Sequence, residues 1–198
     1  MPRTPASPTI RIAQDEHADE VLSSDPFALL VGMLLDQQYP MEHAFRGPAK
    51  ILDRFGTLDP ATIAAADPEA FAAMASTPPA IHRYGRSMAG RVQQLAATVA
   101  QTYGGDASAI WATTDSTTEL LSRLKALPGY GDQKSKIFAA LLGKRLGVQP
   151  AGWREAIGPY AEAGSHRSVA DVVDAESLAM VRNVKKAAKA AAKAAAAT

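Results

Sequence analysis

The sequence of 198 residues contains no cysteine. Disulfide bonds, thiolate zinc sites and cysteine-held iron–sulfur clusters are therefore excluded. Long apolar runs are also missing, since the longest, Phe27 to Leu35, is far shorter than the roughly 20 residues that span a bilayer. The first eight residues are rich in proline and have no hydrophobic signal core. These absences predict a cytoplasmic protein with no membrane partner. The four histidines show no metal-ligand spacing, so no metal site is predicted.

Charge is distributed unevenly along the chain. The formal net charge is +1, but residues 182–198 hold five basic residues and no acidic one. Residues 1–181 therefore carry a formal charge of −4. A DNA-binding domain is usually more basic than this. The composition thus argues against strong non-specific affinity for DNA outside a local basic patch.

Helix signals recur along the chain, and no segment has the pattern of a strand. Three Asp-Pro pairs, at residues 25–26, 59–60 and 67–68, place an N-cap carboxylate before a proline at the first helical position. The helix predicted over residues 26–38 has an apolar stripe and is expected in the core. Further helices are predicted over residues 16–22, 41–55, 60–66, 68–75 and 87–103. Two more are predicted further along the chain, one that ends at residue 127 and one that begins at residue 132 or 133. The fold class predicted is all-α.

One stretch, Leu127-Pro128-Gly129-Tyr130-Gly131, joins two predicted amphipathic helices. Pro128 ends the first helix because it has no N–H to donate. The N–H groups that begin the second helix have no intrahelical partner and lie at the positive end of its dipole, which suits a phosphate. Lys134 and Lys136 add positive charge. An ordinary helix–turn–helix corner shows the same pattern, so the turn alone leaves both interpretations open.

The hairpin resembles the helix-hairpin-helix (HhH-GPD) of the base-excision DNA glycosylases, the endonuclease III superfamily. Upstream, Leu34-Leu35-Asp36-Gln37-Gln38 is similar to the Leu-x-Gln-Gln segment of the same superfamily. The resemblance covers roughly residues 25–160 and implies a two-lobed fold. The implied organisation is a bundle lobe (26–146), a second lobe (147–182) that packs with residues 1–25, and a Lys/Ala-rich tail (183–198).

The tail allows two interpretations. Alanine is the best helix former, so the tail can extend the last helix. Lys185, Lys189 and Lys193 then share one face, which is either a solvated, fraying end or an arm that follows DNA phosphates.

The resemblance implies a protein that flips a base from the duplex and cuts its N-glycosidic bond. The catalytic aspartate of the family would fall at Ala151 and the amine nucleophile of its bifunctional members at Gln133, so neither group stands where it is expected. Asp36 and Glu155 are the candidate substitutes. Each is equally well explained as a structural acid, Asp36 on a solvated side and Glu155 in a first helical turn.

The resemblance also implies contacts with DNA. Gln38 would fill the gap left by the flipped base, or else bond a free carbonyl at its helix end. The loop His82-Arg83-Tyr84 would wedge between bases, or else Arg83 holds phosphate and a buried His82 braces the loop. At the hairpin the predicted contacts are Gly129, Tyr130, Gly131, Gln133 and Lys134. Gln37 is a base-pocket candidate, and Trp153 either packs in the core or lines the same pocket. The cleft between the lobes is expected to hold Asp36, Gln38, Lys134 and Trp153.

Three functions follow from these residues. The first is a monofunctional DNA N-glycosylase, a hydrolase without lyase activity that acts on a damaged or mispaired base of double-stranded DNA. The second is a non-catalytic binding protein for damaged or unusual DNA on the same scaffold. The third is a helical interaction module with no role on DNA. A monomer is expected, associated with the nucleoid when bound to DNA. The resemblance implies a monovalent cation at the hairpin and no other cofactor.

Overall fold

The computed structural model describes residues 9–196, and within that range it contains α-helices, two short 3₁₀ helices and no β-strand. The predicted all-α class is confirmed. The chain divides into two compact units, of which the first ends at Ala107 and the second begins at Ser108. This division does not test the lobe boundaries predicted from the sequence, which stay predictions. None of the helices in the described range is both long enough and apolar enough to cross a membrane.

Among the described residues, the first unit contains six helices. They are α1 (Glu16–Ser24), α2 (Pro26–Leu35), α3 (Met41–Phe55), α4 (Pro60–Ala65), α5 (Pro68–Ser76) and α6 (Gly85–Tyr103). The side chains of Asp25, Asp59 and Asp67 accept hydrogen bonds from backbone N–H groups in the first turns of α2, α4 and α5. The helix starts predicted from the three Asp-Pro pairs are therefore confirmed.

The core of the first unit is built around α2, of which every residue after Pro26 is buried. α2 packs against α3 at close range, because a Cβ atom built on Gly32 would lie only 2.6 Å from the ring of the fully buried Phe45. The segment that precedes α1 is held to the same unit by hydrogen bonds of Ala13. Arg46 of α3 donates to Ala13 O at 2.9 Å, and Ala13 N donates to the buried Asp19 of α1 at 2.8 Å.

α2 ends at Leu35, three residues before the end predicted from its apolar stripe. Asp36 is the C-cap, and Gln38 has a φ of +51°, which is incompatible with a continuing helix. The predicted end at residue 38 is therefore wrong. The apolar residues themselves stop at Leu35, and Gln38 only continues their helical spacing with a polar side chain.

The second unit is arranged around one long helix. Its elements are α7 (Ala109–Ala112), α8 (Thr117–Lys125), α9 (Asp132–Leu146), α10 (Trp153–Ile157), 3₁₀ helices at Gly158–Ala161 and Val169–Asp171, and α11 (Ala175–Ala196). α9 packs against α8, α10 and both 3₁₀ helices. A buried ion pair fixes one of these contacts, with Lys144 Nζ 2.5 Å from Asp171 Oδ1. α9 begins at Asp132, as predicted from the hairpin pattern.

The close approach of α2 and α3 can be tested by one methyl group. We expect Gly32→Ala to lower the free energy of unfolding by about 1–3 kcal/mol, because Phe45 has no room to move away. The matched control is Gly90→Ala in α6, where an added Cβ meets no atom within 4 Å. That change should raise stability by about 0.5–1 kcal/mol, since alanine suits a helix interior better than glycine. Urea denaturation followed by circular dichroism measures both. Equal stability of the two variants would contradict this packing.

Candidate functional site

The turn between α8 and α9 is fastened to the protein by its two large side chains. Leu127 and Tyr130 are 3% and 4% exposed. The Tyr130 ring packs edge-on against Phe138 of α9, with 5.9 Å between centroids, and Tyr130 N donates to Leu127 O at 3.1 Å. Tyr130 was predicted as a DNA contact, but both its side chain and its amide are engaged within the protein. The backbone on either side of it is what faces solvent.

The two glycines that flank Tyr130 are exposed. Gly129 has a φ of +80°, a conformation that favours glycine. Gly131 is the N-cap of α9, and an added Cβ there would meet no atom within 4 Å. Gly131 has no side chain with which to cap this end of α9. The first N–H groups of α9 have no intrahelical acceptor, so the turn offers amide donors at the positive end of a helix dipole.

A charge clamp closes the hairpin beside this turn. Asp132, the first residue of α9, lies between Lys125 of α8 (Nζ to Oδ1, 2.6 Å) and Lys136 of α9 (Nζ to Oδ2, 3.2 Å). The hydrogen bonds from these two lysines hold the pKa of the Asp132 carboxyl below its ordinary value. The carboxylate would repel an incoming phosphate if it stood alone. Two lysines offset its charge, so the mouth of the turn is not acidic.

Gln133 occupies the hairpin position at which the resemblance predicted a nucleophilic lysine in bifunctional relatives. Its side-chain amide donates to the hydroxyl of Tyr160 at 2.9 Å. Tyr160 belongs to the 3₁₀ helix that follows α10, so this bond ties the start of α9 to the later part of the same unit. Lys134, the next residue, is half-buried.

The segment at which the family aspartate was expected has a defined place in the second unit. Ala151 O accepts hydrogen bonds from both the N–H and the hydroxyl of Thr117, each at 3.0 Å, and Ala151 N donates to Asp115 O at 3.3 Å. Asp115 is exposed. Sequence reasoning missed this acid, because no linear spacing links it to Ala151. The pairing of the two segments makes Asp115 a third carboxylate candidate.

Trp153 and Glu155 lie on opposite sides of the short helix α10. Trp153 is 4% exposed, its indole N–H donates to Ala139 O at 3.0 Å, and its ring fills the space beside Gly143. This burial favours the core interpretation of Trp153 over a base pocket. Glu155 is exposed in the first turn of α10.

In the first unit, α2 carries the Gln-Gln segment at the end of a buried helix. Asp36 is half-buried, and its N–H donates to Gly32 O at 3.1 Å. The Gln37 side chain donates to Leu34 O at 3.0 Å and so satisfies a carbonyl at the helix end. Gln38, in a left-handed conformation, is exposed.

His82 braces the loop that lies beside this segment. It is 1% exposed, and its ring lies 4.7 Å from that of Tyr39. The Tyr84 N–H donates to Nδ1 at 3.0 Å, so in a neutral ring the proton is assigned to Nε2, which then donates to Gln37 O at 2.9 Å. Such burial favours the bracing alternative for His82 over a direct contact with a base.

Three exposed residues are brought together by this arrangement, Gln38 through its backbone carbonyl. The guanidinium of Arg83 lies over the Tyr84 ring, 4.8 Å from its centroid, and donates to Gln38 O at 3.4 Å. Tyr84 is 49% exposed. We call Gln38, Arg83 and Tyr84 the loop cluster. It combines an amide, a cation and an aromatic face, the groups with which proteins pair, hold and stack nucleotides.

The monovalent cation that the resemblance implies would bind carbonyl groups of the hairpin, in the described part of the chain. No group of three or more metal-ligating side chains lies together there. At the hairpin, Leu127 O already accepts the Tyr130 N–H. The predicted monovalent cation stays a prediction.

The fold and this turn define an all-α helix-hairpin-helix protein whose hairpin exposes Gly129 and Gly131 at the start of α9. Residues 31–197 match the sequence profile of the HhH-GPD superfamily base excision DNA repair proteins, and the chain belongs to that family. The resemblance predicted from the hairpin and the Gln-Gln segment is confirmed. The protein is therefore a DNA-binding, glycosylase-like member of a base excision repair superfamily. No curated protein and no solved structure matches the chain.

The buried anchor of the hairpin can be tested by pH titration. Burial raises the pKa of Tyr130 well above its ordinary value. In the unfolded chain this phenol ionises near pH 10, while in the folded protein it stays neutral. Stability should therefore fall as pH rises above about 10, and less so in Tyr130→Phe.

Ultraviolet difference spectroscopy of tyrosinate, followed beside circular dichroism, measures this. Tyr130→Phe should remove ionisation that coincides with unfolding and should leave DNA binding unchanged. Ionisation of Tyr130 in the folded protein, or loss of DNA binding in Tyr130→Phe, would contradict its role as an internal anchor.

Proposed function

We propose that the protein is a monofunctional DNA N-glycosylase that flips a damaged or mispaired base out of double-stranded DNA and hydrolyses its N-glycosidic bond. Membership of the base excision repair family supports the substrate class. The observation that carries the proposal is the hairpin, with Gly129 and Gly131 exposed at the uncapped start of α9. We further propose that it acts as a monomer in the cytoplasm, associated with the nucleoid.

The chemistry requires a water nucleophile and a carboxylate. Water adds to the anomeric carbon as the N-glycosidic bond breaks, and the base leaves with the bonding electrons. The proton that the water gives up is balanced by one taken up from solvent by the departing base. The sugar passes through an oxocarbenium-like state, which a nearby carboxylate stabilises. The candidates are Asp36, half-buried at the end of α2, and the exposed Glu155 and Asp115.

The proposed reaction has no lyase step because Gln133 stands where bifunctional relatives carry a lysine. A Schiff base forms only from an amine, and a glutamine amide is not a nucleophile of that kind. The amide is instead bonded to Tyr160. Lys134 is the nearest amine in sequence, but one residue turns a helix by about 100°. The product of the proposed reaction is therefore an abasic site with an intact strand.

The loop cluster supplies the second contact with DNA in this proposal. The left-handed backbone of Gln38 ends the helix and leaves the residue exposed. Gln38 would enter the space vacated by the flipped base and pair with the orphaned one, since an amide both donates and accepts. Arg83 would hold phosphate while Tyr84 stacks on a base. His82 and Gln37 would act through the loop cluster, as positioning residues that hold its backbone.

A second function is favoured by a specific observation. Ala151 stands where the family carries its aspartate, and its backbone is fully used in pairing with Thr117 and Asp115. A protein with this hairpin and no catalytic acid would bind damaged DNA without cutting it. Family membership argues against the third alternative, an interaction module with no role on DNA.

A panel of duplexes, each with one lesion or mismatch, tests the two functions. We expect release of a free base from at least one duplex, with the strand left intact. Among Asp36→Asn, Glu155→Gln and Asp115→Asn, the variant that removes the catalytic acid should lose about 100-fold or more in the single-turnover rate. Glu20→Gln, an exposed change on α1, is the control. Selective binding without release would instead support the non-catalytic protein, and neither binding nor release would reject both.

The hairpin can be tested separately by adding one methyl group. Gly131 has a φ of −83° and open space around it, so Gly131→Ala should not alter the free energy of unfolding. The methyl would stand where a phosphate approaches the amides, and we expect DNA affinity to fall about tenfold, or roughly 1.4 kcal/mol.

Gly90→Ala serves again as the matched control, since it should leave DNA binding unchanged. Gly129→Ala is not a clean test, because alanine at a φ of +80° costs about 1–2 kcal/mol of folding energy. Fluorescence anisotropy with a labelled duplex measures affinity. Undiminished affinity in Gly131→Ala would remove the hairpin from the DNA interface.

A further inference from the structure

The last helix continues far beyond the packed part of the second unit. Ser177, Leu178 and Val181 in its first two turns are buried, and the Asp174 carboxylate accepts from Ser177 N at 2.7 Å as an N-cap. From Val181 onward the same α-helix runs on to Ala196, almost entirely exposed. This projecting part is therefore an extension of an anchored helix.

All of its basic residues share one face. At 100° per residue, the five lie within a sector of about 100°. They are Arg182, Lys185, Lys186, Lys189 and Lys193. The sector extends roughly 16 Å along the axis, at about 1.5 Å per residue. The rest of the circumference is mostly alanine. We call these five residues the basic stripe.

Neighbouring residues of the basic stripe carry charges of the same sign. Arg182 and Lys186, Lys185 and Lys189, and Lys189 and Lys193 are like-charge pairs at i, i+4, which destabilise a helix. Residues 182–198 contain no acidic residue to alternate with these charges. A solvated end selected for helix stability would alternate its charges. Repulsion held on one face is relieved by a polyanion laid against it.

We propose that the basic stripe is a second DNA-binding element, which binds the phosphate backbone without reading its sequence. The inference rests on the proposed function only in that its partner is duplex DNA. A length of roughly 16 Å covers about five phosphate steps of one strand, at about 3.4 Å each along the axis. The stripe carries +5 while residues 1–181 carry −4, so it supplies the long-range attraction that the remainder lacks.

An anionic membrane is the other polyanionic surface to consider. Helices that lie in a membrane interface oppose their basic face with large apolar side chains. The larger apolar side chains exposed on α11 are Met180 and Val184. The remainder of the non-basic surface of its projecting part is mainly alanine. The face opposite the stripe is therefore too weakly apolar to insert, and DNA is the partner that this helix fits.

The test is the salt dependence of binding to an undamaged duplex, measured on the full chain. The triple variant Lys186→Gln, Lys189→Gln, Lys193→Gln removes three exposed charges. We expect its affinity to fall at least tenfold at low salt. The slope of log affinity against log salt should fall by about three, since each phosphate contact contributes about 0.9.

A permuted variant separates the stripe from total charge. Lys189→Ala with Ala191→Lys, and Lys193→Ala with Ala194→Lys, keep the composition but move two lysines off the face. We expect its slope to fall by about two. A permuted variant that binds like the wild type would overturn the stripe, and so would an unchanged slope in the triple variant. Tighter binding to phosphatidylglycerol vesicles than to the duplex would also overturn it.

Failure of this inference is distinguishable from failure of the proposed function. Base release from a lesion duplex with an unaltered salt slope in both variants would reject only the stripe. A stripe-dependent slope without base release or lesion selectivity would support the stripe and reject the glycosylase.

Discussion

The interaction on which the hairpin depends is the burial of Tyr130 against Phe138. A turn between two helices keeps one position only if contacts with the fold hold it there. Here the buried ring of Tyr130 makes that contact at the centre of the turn, and Gly129 and Gly131 flank it. Burying the ring withdraws the Tyr130 amide into the turn, where it bonds Leu127. The same anchorage leaves Gly129 and Gly131 exposed at the N-terminus of α9. The apolar contact of Tyr130 with Phe138 thus fixes where the exposed glycines of the turn lie.

The charge at the hairpin differs from that of α11 and of the remainder of the chain. At the hairpin, Asp132 is clamped between Lys125 and Lys136, whose two positive charges outweigh its one negative charge. In the proposed function, the backbone amides of the turn add a short-range attraction for phosphate. The body is slightly acidic, and the excess positive charge is gathered on α11. Short-range recognition and long-range attraction are thereby assigned to different elements. In this account the hairpin and loop cluster position the duplex, while the basic stripe raises its local concentration.

Local signals in the sequence predicted most helix boundaries, and long-range contacts decided what it could not. The Asp-Pro caps and the start of α9 are set by neighbouring residues and were predicted correctly. The end of α2 was missed, because a side-chain bond from Gln37 to Leu34 and the left-handed Gln38 close the helix early. The burial of Tyr130 and His82 and the pairing of Asp115 with Ala151 depend on residues distant in sequence. Linear spacing carries no signal for such contacts.

The most direct measurement is a titration of ¹⁵N-labelled protein with a short undamaged duplex, followed by the amide resonances of the hairpin. The account predicts that the N–H signals of Gly129, Gly131 and Gln133 shift as the duplex is added, and shift in the same direction with inorganic phosphate. The Tyr130 amide, bonded inside the turn, should move much less. Tight binding of the duplex with unchanged hairpin amides would contradict the account.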